Sequence, residues 1–428
     1  MKSTLYAALL ALLTPLGAAA FPYCAALQSA DTVPKKHAKR APFLADNAGQ
    51  WIIGQDQLKN AFEVTNEASV LLRAIGAAFR AQGSTLVVLP APPRPLFVPD
   101  PLLAEMGLSR AELDAGIGSA FSGYVAALNA TGIPAVDLSS FATGPARDGF
   151  YFTRDTHWTP EGAARAVAEL AQLLRPDAAP DLPPFEGRFT ERGSLSDVVV
   201  EVCGTQPAPE IVPAPVYAQA AGAGALLGTT DGPRAALVGT SFSDRYQRDA
   251  YQVADAIAHM LDASVANYSL TGGGPTGAML AFIESGALGA GGYEVVVWES
   301  PYTTPLNSVD GLRQVLGALH AATPAGPAEV AEVGDAWAEL PLAFDAASFT
   351  ALSIEMPGVT EGKLWAELIA EDGTRQRYRM VKSKRVPAER RSPTWRLALD
   401  GLAAPQITRV KLRLQGGART MAEVSLLR

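Results

Sequence analysis

Two short stretches of the sequence contain the residue types of nucleophilic catalysis. Asp155 and His157 lie two residues apart in YFTRDTHWTPEGA, and Ser241 lies in VGTSFSD. A carboxylate bound to an imidazole fixes its tautomer, and such a histidine can then remove the proton of a serine hydroxyl. In an extended segment, residues i and i+2 face the same side, so Asp155 and His157 can form this pair. The sequence therefore predicts a catalytic triad of Ser241, His157 and Asp155.

Both stretches also have a purely structural interpretation. Thr159 and Pro160 are typical of the first positions of a helix, so Asp155 and His157 can equally form a hydrogen bond beside a helix cap. Ser241 can cap a helix that follows it. A third possibility is a metal ion bound by Asp155 and His157, but no further ligand stands out near them in the sequence, and we expect no metal.

An alternation of strands and helices from about residue 45 to residue 320 positions these side chains. The predicted strands are residues 85–89, 133–138, 235–239, 263–270 and 293–298, and the predicted helices are residues 101–130, 159–175, 244–261 and 275–287. This pattern predicts an α/β domain whose parallel sheet is covered on both faces. Ser241 follows the third strand and therefore lies at the carboxyl edge of the sheet, where such folds bind ligands. Residues 176–233 are rich in proline and predict an irregular insertion.

A different pattern begins after a Pro/Ala/Gly/Glu-rich linker near residues 323–333. Short alternating segments follow at residues 348–356, 363–369, 375–381, 395–399 and 408–414. Several short strands separated by Gly, Pro and Asp turns are typical of a β-sandwich. We therefore expect a signal peptide over residues 1–20, a catalytic domain over residues 21–325 and a β-sandwich over residues 335–428.

The predicted β-sandwich carries the basic residues. Residues 345–428 contain 15 Lys+Arg and 9 Asp+Glu, a net charge of +6, whereas the whole chain of 428 residues has a net charge of -8. In RQRYRMV, the period of two places Arg375, Arg377 and Arg379 on one face of a strand, and RVKLRL repeats the pattern. Arginine binds carboxylates in bidentate geometry, so this face predicts contact with an anionic polymer, to which Trp395 could add sugar stacking. The alternatives are a solvated face that deters edge pairing and a Trp395 packed inside the sandwich.

The N-terminus predicts export. Lys2, the apolar residues 5–16 and the small residues 18–20 form the pattern of a cleaved signal peptide, and the apolar run is too short for a membrane span. The only two cysteines, Cys24 and Cys203, then favour a disulfide over a metal site, with two free thiols as the alternative. Export and an acidic body also make nucleic acid a poor partner.

Four motifs together, DTHWTPEGA, GTSFS, GGG and WESP, resemble the alginate O-acetyltransferases of the AlgX/AlgJ type over residues 45–320. The resemblance implies an SGNH-hydrolase-like domain with permuted elements and a C-terminal carbohydrate-binding module. It implies that Ser241 carries the acetyl group, with His157 and Asp155 as its partners, and that Tyr302 lines the same pocket. No cofactor is expected.

The implied activity is periplasmic O-acetylation of an anionic exopolysaccharide such as alginate, on mannuronate hydroxyls. The implied partners are this polymer, an acetyl donor that can be a partner acetyltransfer protein, and a polysaccharide biosynthesis and export complex. Two alternatives stay open. One is an acetylesterase, in which water replaces the sugar, and the other is a non-catalytic polysaccharide-binding subunit of an export complex.

Overall fold

A computed structural model describes residues 21–217, 233–245, 248–320, 323–326, 328–417 and 419–428, so the predicted signal peptide lies outside the described residues. The strands are β1 Phe43–Ala45, β2 Ile52–Gly54, β3 Thr85–Pro90, β4 Gly187–Glu191, β5 Glu210–Ala214, β6 Arg234–Val238, β7 Ser264–Asn267, β8 Val295–Ser300, β9 Glu329–Val333, β10 Ala338–Leu340, β11 Phe344–Asp345, β12 Ala351–Glu355, β13 Gly362–Ala370, β14 Arg375–Lys382, β15 Thr394–Ala398, β16 Gln406–Gln415 and β17 Thr420–Leu427. The helices are α1 Asn66–Ala81, α2 Asp100–Glu105, α3 Arg110–Leu113, α4 Ser119–Ala130, α5 Pro160–Leu174, α6 Ser194–Cys203, α7 Val253–Leu261, α8 Pro275–Glu284, α9 Ala287–Gly291 and α10 Val309–Leu319. Within these ranges, none of the helices has the length and apolar character that a membrane span requires.

The N-terminal part is built on a parallel sheet with the strand order β3-β8-β6-β7. Its central strands are short and rich in valine and leucine, and their side chains are buried, as expected for strands that are covered on both faces. The helices α5, α7, α1 and α8 contact this sheet, and α10 packs against α1 and α8. The predicted α/β fold with a parallel sheet is confirmed.

Residues 133–138 do not form the predicted strand. Their only sheet contact is a single parallel bridge between Ala135 and Val88 of β3. The side chain of Asn129 explains the difference, because its amide donates to the carbonyl of Ala135 and its carbonyl accepts from the N–H of Ala135. Pro134, which lacks an N–H donor, further limits strand pairing.

The described part of the proline-rich stretch after α5, residues 176–217 and 233, is more regular than its sequence predicts, and residues 218–232 lie outside the described residues. β4 and β5 form an antiparallel pair, and α6 lies between them in the chain. Cys203, the last residue of α6, forms a disulfide with Cys24, with 5.5 Å between the Cα atoms. The disulfide therefore ties the N-terminal segment to the end of α6.

The C-terminal part consists of two antiparallel sheets, with the strand orders β10-β16-β13-β14 and β15-β12-β17-β9. Alternate side chains of both sheets pack together into a second hydrophobic core, which confirms the predicted antiparallel C-terminal region. β9 pairs with β17 and occupies residues that the sequence analysis assigned to a linker, so this region starts before the predicted boundary at residue 335.

Two buried cations connect the antiparallel sheets to the parallel-sheet part. Arg313 of α10 donates to the carbonyls of Ala398 and Asp400 at 2.9 and 2.8 Å. Lys382 of β14 forms an ion pair with Glu284 of α8 at 2.7 Å. Because buried charges need partners with defined geometry, these contacts fix how the two parts meet.

Candidate active site

Asp155 and His157 lie in a tight loop closed by a bridge between Tyr151 and Trp158, and not in an extended strand. Asp155 Oδ1 accepts from the backbone N–H of His157 at 2.8 Å and also binds its ring Nδ1. The turn of the loop, and not strand alternation, brings the two side chains together. Thr159 immediately after the bridge caps α5, as the sequence predicts.

Ser241 lies in the turn that follows β6, and its Oγ lies 2.8 Å from Nε2 of His157. Asp155 and His157 are 0% and 6% exposed, so water competes little with this chain of contacts. The helix expected from residue 244 begins only at Val253, and Asp249 accepts from the first N–H groups of that helix. Ser241 therefore does not cap a helix, and the structure brings the three predicted catalytic residues into one hydrogen-bonded chain.

A buried carboxylate lies beneath the turn that carries Ser241. Glu299 at the end of β8 is fully buried and accepts from Thr240 N, Thr240 Oγ1 and Ser243 Oγ at 2.6, 3.0 and 3.1 Å. Burial raises the pKa of Glu299 to about 7 despite these donors. Gly239 is required for the close approach, because a Cβ there would lie 2.4 Å from Glu299 Oε2.

The second oxygen of Asp155 also has partners. Asp155 Oδ2 accepts from the N–H of Ser194, at the start of α6, at 2.6 Å and from Arg245 Nη1 at 2.7 Å. Burial by itself raises the pKa of Asp155, but His157 and Arg245 outweigh burial and hold the pKa below its usual range. With both oxygens engaged by donors, Asp155 is arranged to orient an imidazole and not to bind a metal ion.

Sequence reasoning missed Glu299, Ser194 and Arg245. Arg245 follows Ser241 by four residues within the same turn-forming stretch, so its proximity was the one signal available. Glu299 belongs to the WESP motif, but an acidic residue in an apolar strand does not reveal what it binds. Ser194 contributes a backbone N–H. Every residue type except proline has this group, so the sequence does not indicate the contact.

A cleft of about 450 Å³ opens at Ser241. Tyr302, which the family resemblance assigned to the pocket, lies in its wall, and burial raises the pKa of its hydroxyl. The lining residues are Arg40, Asp56, Gln57, Thr156, His157, Ser194, Thr240, Ser241, Phe242, Arg245, Thr271, Gly272, Gly274, Pro301, Tyr302, Thr303 and Thr304. The cleft is thus polar near the serine and has room for a small acyl group.

A second cavity of about 730 Å³ meets this cleft at Thr271 and is lined by the β14–β15 loop. Arg385 and Arg390 of that loop border the cavity, and the guanidinium of Arg390 lies 5.1 Å from the ring centroid of Tyr268. The sequence analysis gave neither arginine a role. Arg40 and Arg245 line the cleft itself. The basic residues of the adjoining cavity come from a loop of the antiparallel region and not from the predicted strand face.

Arg375, Arg377 and Arg379 are exposed on alternate positions of β14, as their spacing predicts. They do not form a row of cations without neighbours, because acidic and aromatic side chains of β13 lie beside two of them. β13 lies between β14 and β16 and places Glu367 beside Arg377 at 2.8 Å, while Arg379 lies 5.9 Å from the ring centroid of Trp365.

The prediction of a sugar-stacking Trp395 is wrong. Trp395 is 0% exposed and packs in the core between the two antiparallel sheets. Its Nε1 donates to the carbonyl of Val359 at 3.1 Å, and the ammonium of Lys382 lies over its ring. The alternation of β15 turns this side chain inward, which a single strand pattern does not reveal when both faces contain large residues.

Comparisons with known proteins were consistent with this geometry. A sequence model of the family described as "SGNH hydrolase-like domain, acetyltransferase AlgX" matches residues 50–302. The chain is 26% identical to the alginate biosynthesis protein AlgX of Pseudomonas fluorescens over 69% of its own length and 63% of that protein. It is 28% identical to the probable alginate O-acetylase AlgJ of Pseudomonas syringae pv. tomato over 59% of its length and 66% of that protein.

The solved structure of Pseudomonas aeruginosa AlgX has the same overall fold. It aligns with a TM-score of 0.68 at 20% identity and covers 94% of this chain and 99% of the other. The chain spans less than two thirds of the length of the two sequence relatives. Because the family model spans more than half of the chain, the protein belongs to the AlgX family of SGNH hydrolase-like acetyltransferase domains.

Proposed function

We propose that this protein is a periplasmic O-acetyltransferase that uses Ser241 to acetylate hydroxyl groups of an anionic polysaccharide. The observation that carries the proposal is the chain of contacts from Ser241 Oγ to His157 and on to Asp155, at the floor of a cleft. The relatives named for alginate biosynthesis and alginate O-acetylation support an alginate-like acceptor. The disulfide between Cys24 and Cys203 supports an oxidising compartment such as the periplasm.

In the first half-reaction, Ser241 Oγ attacks the acetyl carbonyl of a donor ester while its proton moves to Nε2 of His157. The tetrahedral oxyanion then collapses, the bond to the donor oxygen breaks, and His157 returns the proton to the leaving alcohol. We assign the oxyanion to backbone N–H groups of Ser241, Gly272 and Gly274, which line the cleft. Asp155 holds the Nδ1 proton and stabilises the imidazolium.

In the second half-reaction, a sugar hydroxyl attacks the acetyl-enzyme. His157 takes the hydroxyl proton as the new ester bond forms and returns it to Ser241 Oγ as the old bond breaks. The products are the acetylated sugar and the free enzyme, and no redox step is involved. A partner acetyltransfer protein is the donor we favour, and a polysaccharide export complex is the setting.

We expect the acceptor to bind beside the cleft at the basic loop, which is the β14–β15 loop with Arg385 and Arg390. Arg385 and Arg390 line the cavity that joins the cleft at Thr271, so a uronate chain lying there would bring its hydroxyls toward Ser241. The β14 face, with Arg375 and its neighbours, can hold a more distant part of the same polymer. Electrostatic attraction to both surfaces should weaken as salt rises.

The test uses the mature protein purified from the periplasm. Wild type and Ser241→Ala are given a chromogenic acetyl ester with and without oligomannuronate, and acetate release and oligosaccharide mass are followed. The proposal predicts that only the wild type cleaves the ester and adds acetyl units to the oligosaccharide. Cleavage without sugar acetylation would favour an esterase, and equal behaviour of the two proteins would favour a binding subunit.

A second comparison tests the acceptor site. Arg385→Ala combined with Arg390→Ala should raise the KM for oligomannuronate and leave ester cleavage without sugar unchanged. Arg73→Ala combined with Arg419→Ala removes two exposed arginines elsewhere and is the matched control for net charge. An equal rise in KM for both pairs would assign the effect to overall charge and not to the cavity.

A further inference from the structure

Arg245 occupies an unusual position for a cation, within the catalytic triad itself. Its Nη1 donates to Asp155 Oδ2 at 2.7 Å and to Tyr251 Oη at 2.7 Å, and it lies 3.3 Å from Nδ1 of His157. Its Nη2 lies 3.2 Å from Glu191 Oε1 in β4. The guanidinium is mostly buried, so solvent screens its charge only weakly.

Other charged side chains of the described residues lie near His157 and Arg245. Asp155 lies on the same loop and is shared between the imidazole and Arg245. On the other wall of the cleft, Arg40 and Asp56 lie 3.9 Å apart and therefore largely offset one another. Arg245 therefore lies between two carboxylates, Asp155 and Glu191, and brings a positive charge to within 3.3 Å of the imidazole Nδ1.

We propose that Arg245 is a positioning residue of the acyl-transfer site, which holds the second oxygen of Asp155 and places a positive charge beside the imidazole of His157. This inference rests on the proposed function, since it concerns the same triad. Removing this positive charge should make a second proton on the imidazole more favourable. A doubly protonated imidazole cannot accept the proton of Ser241.

Tyr251 makes the arrangement rigid. Its ring stacks on the imidazole of His157 with centroids 5.3 Å apart and planes inclined by 27°, while its hydroxyl accepts from Arg245. The same residue therefore limits rotation of both the imidazole and the guanidinium. The cation is held at a fixed distance, so its effect on the imidazole is a constant property of the site.

Glu191 provides a second test of the inference, in which the expected change at His157 has the opposite sign. Its carboxylate accepts from Gly193 N at 3.0 Å and faces Arg245, so it reduces the net positive charge that His157 experiences. Neutralising Glu191 should therefore lower the basicity of His157, whereas neutralising Arg245 should raise it. A purely structural role for these residues predicts no such opposition.

The experiment is an NMR titration of the mature protein labelled with ¹³C at histidine Cε1. The chain contains four histidines, and His157 is assigned by the signal that His157→Gln removes. The other three, His37, His259 and His320, lie outside the triad and are internal controls. Wild type, Arg245→Met, Arg245→Lys and Glu191→Gln are compared, each with a thermal unfolding curve.

The midpoint of His157 should rise by about one pH unit in Arg245→Met, stay near the wild-type value in Arg245→Lys, and fall in Glu191→Gln. The acid limb of the pH profile for acetate release should move in the same directions. An unchanged midpoint in Arg245→Met, or shifts of the same sign in the Met and Gln variants, would overturn the inference.

The two proposals can fail separately. An inactive wild type whose His157 midpoint still moves as expected would refute the transferase and keep the role of Arg245. An active wild type whose His157 midpoint does not change in the variants would refute the role of Arg245 and keep the transferase. If Arg245→Met does not fold, Glu191→Gln still decides the question, because a midpoint that fails to fall contradicts the electrostatic role.

Discussion

Replacing Glu299 by glutamine should change how the stability of the protein depends on pH. The carboxyl is fully buried beneath Thr240 and Ser243, and burial raises its pKa from 4.5 to about 7. Below pH 4.5 the group is protonated in both the folded and the unfolded chain. As pH rises to 7, the unfolded chain loses this proton first, so the free energy of unfolding falls. A shift of this size corresponds to roughly 3 kcal/mol.

Glu299→Gln removes the titrating group and keeps the size of the side chain. Urea unfolding of wild type and variant at pH values from 4.5 to 8 gives the difference in free energy of unfolding at each pH. Hydrogen bonds that glutamine makes less well add a constant to this difference, so only its change with pH is diagnostic. The variant should gain roughly 3 kcal/mol relative to wild type across this range.

A difference that stays flat with pH would refute the reasoning, because it would mean that Glu299 is ionised in the folded protein at the same pH as in the unfolded chain. The exposed Glu112→Gln exchange is the matched control, since it removes one carboxylate without touching the buried turn. If the control shows the same change with pH, overall charge and not burial is responsible.

Three further predictions concern the candidate site and the disulfide. Gly239→Ala should destabilise the protein by about 1–3 kcal/mol in urea unfolding, because the new Cβ would lie 2.4 Å from Glu299 Oε2, and an unchanged midpoint would contradict that contact. Asp155→Asn should lower kcat for acetate release by about 10³- to 10⁴-fold with an intact fold by circular dichroism, and a KM effect alone would argue against a triad. Replacing both Cys24 and Cys203 by serine should lower the free energy of unfolding by about 2–5 kcal/mol, and the reduced wild type should match it.

Much of the fold was predictable because short buried strands and amphipathic helices leave a local pattern. β3, β6 and β8 correspond closely to predicted strands. The predicted strand and helix bounds are wrong where a side chain forms the backbone hydrogen bonds that a neighbouring strand or helical turn would otherwise form. Asn129 does so for Ala135, and Asp249 supplies the N–H acceptors that delay the start of α7 to Val253. Such contacts depend on tertiary placement and have no periodic signature.

The candidate catalytic residues were predictable because chemistry restricts residue type. Such a site needs a nucleophile, a base and a carboxylate that orients the base. The serine after a strand and the Asp-x-His elsewhere leave few alternatives for these three roles. The groups that support the triad were not predictable, since arginine, glutamate and serine occur everywhere on protein surfaces. Arg245 and Glu299 are identified as part of the site only when the distances to Asp155 and Thr240 are known.

A buried lysine helps to position the basic loop. Lys382 ends β14 and donates to Glu284 of α8 at 2.7 Å, and also to the carbonyls of Ser392 and Thr394 at 2.8 and 2.7 Å. It therefore joins the two ends of the loop that carries Arg385 to each other and to the parallel-sheet part. Burial lowers the pKa of Lys382 and raises that of Glu284, so the pair is costly to bury and contributes little net stability. Its contribution is geometric, because an apolar contact could hold the two parts together but would leave the loop free to move over the cleft.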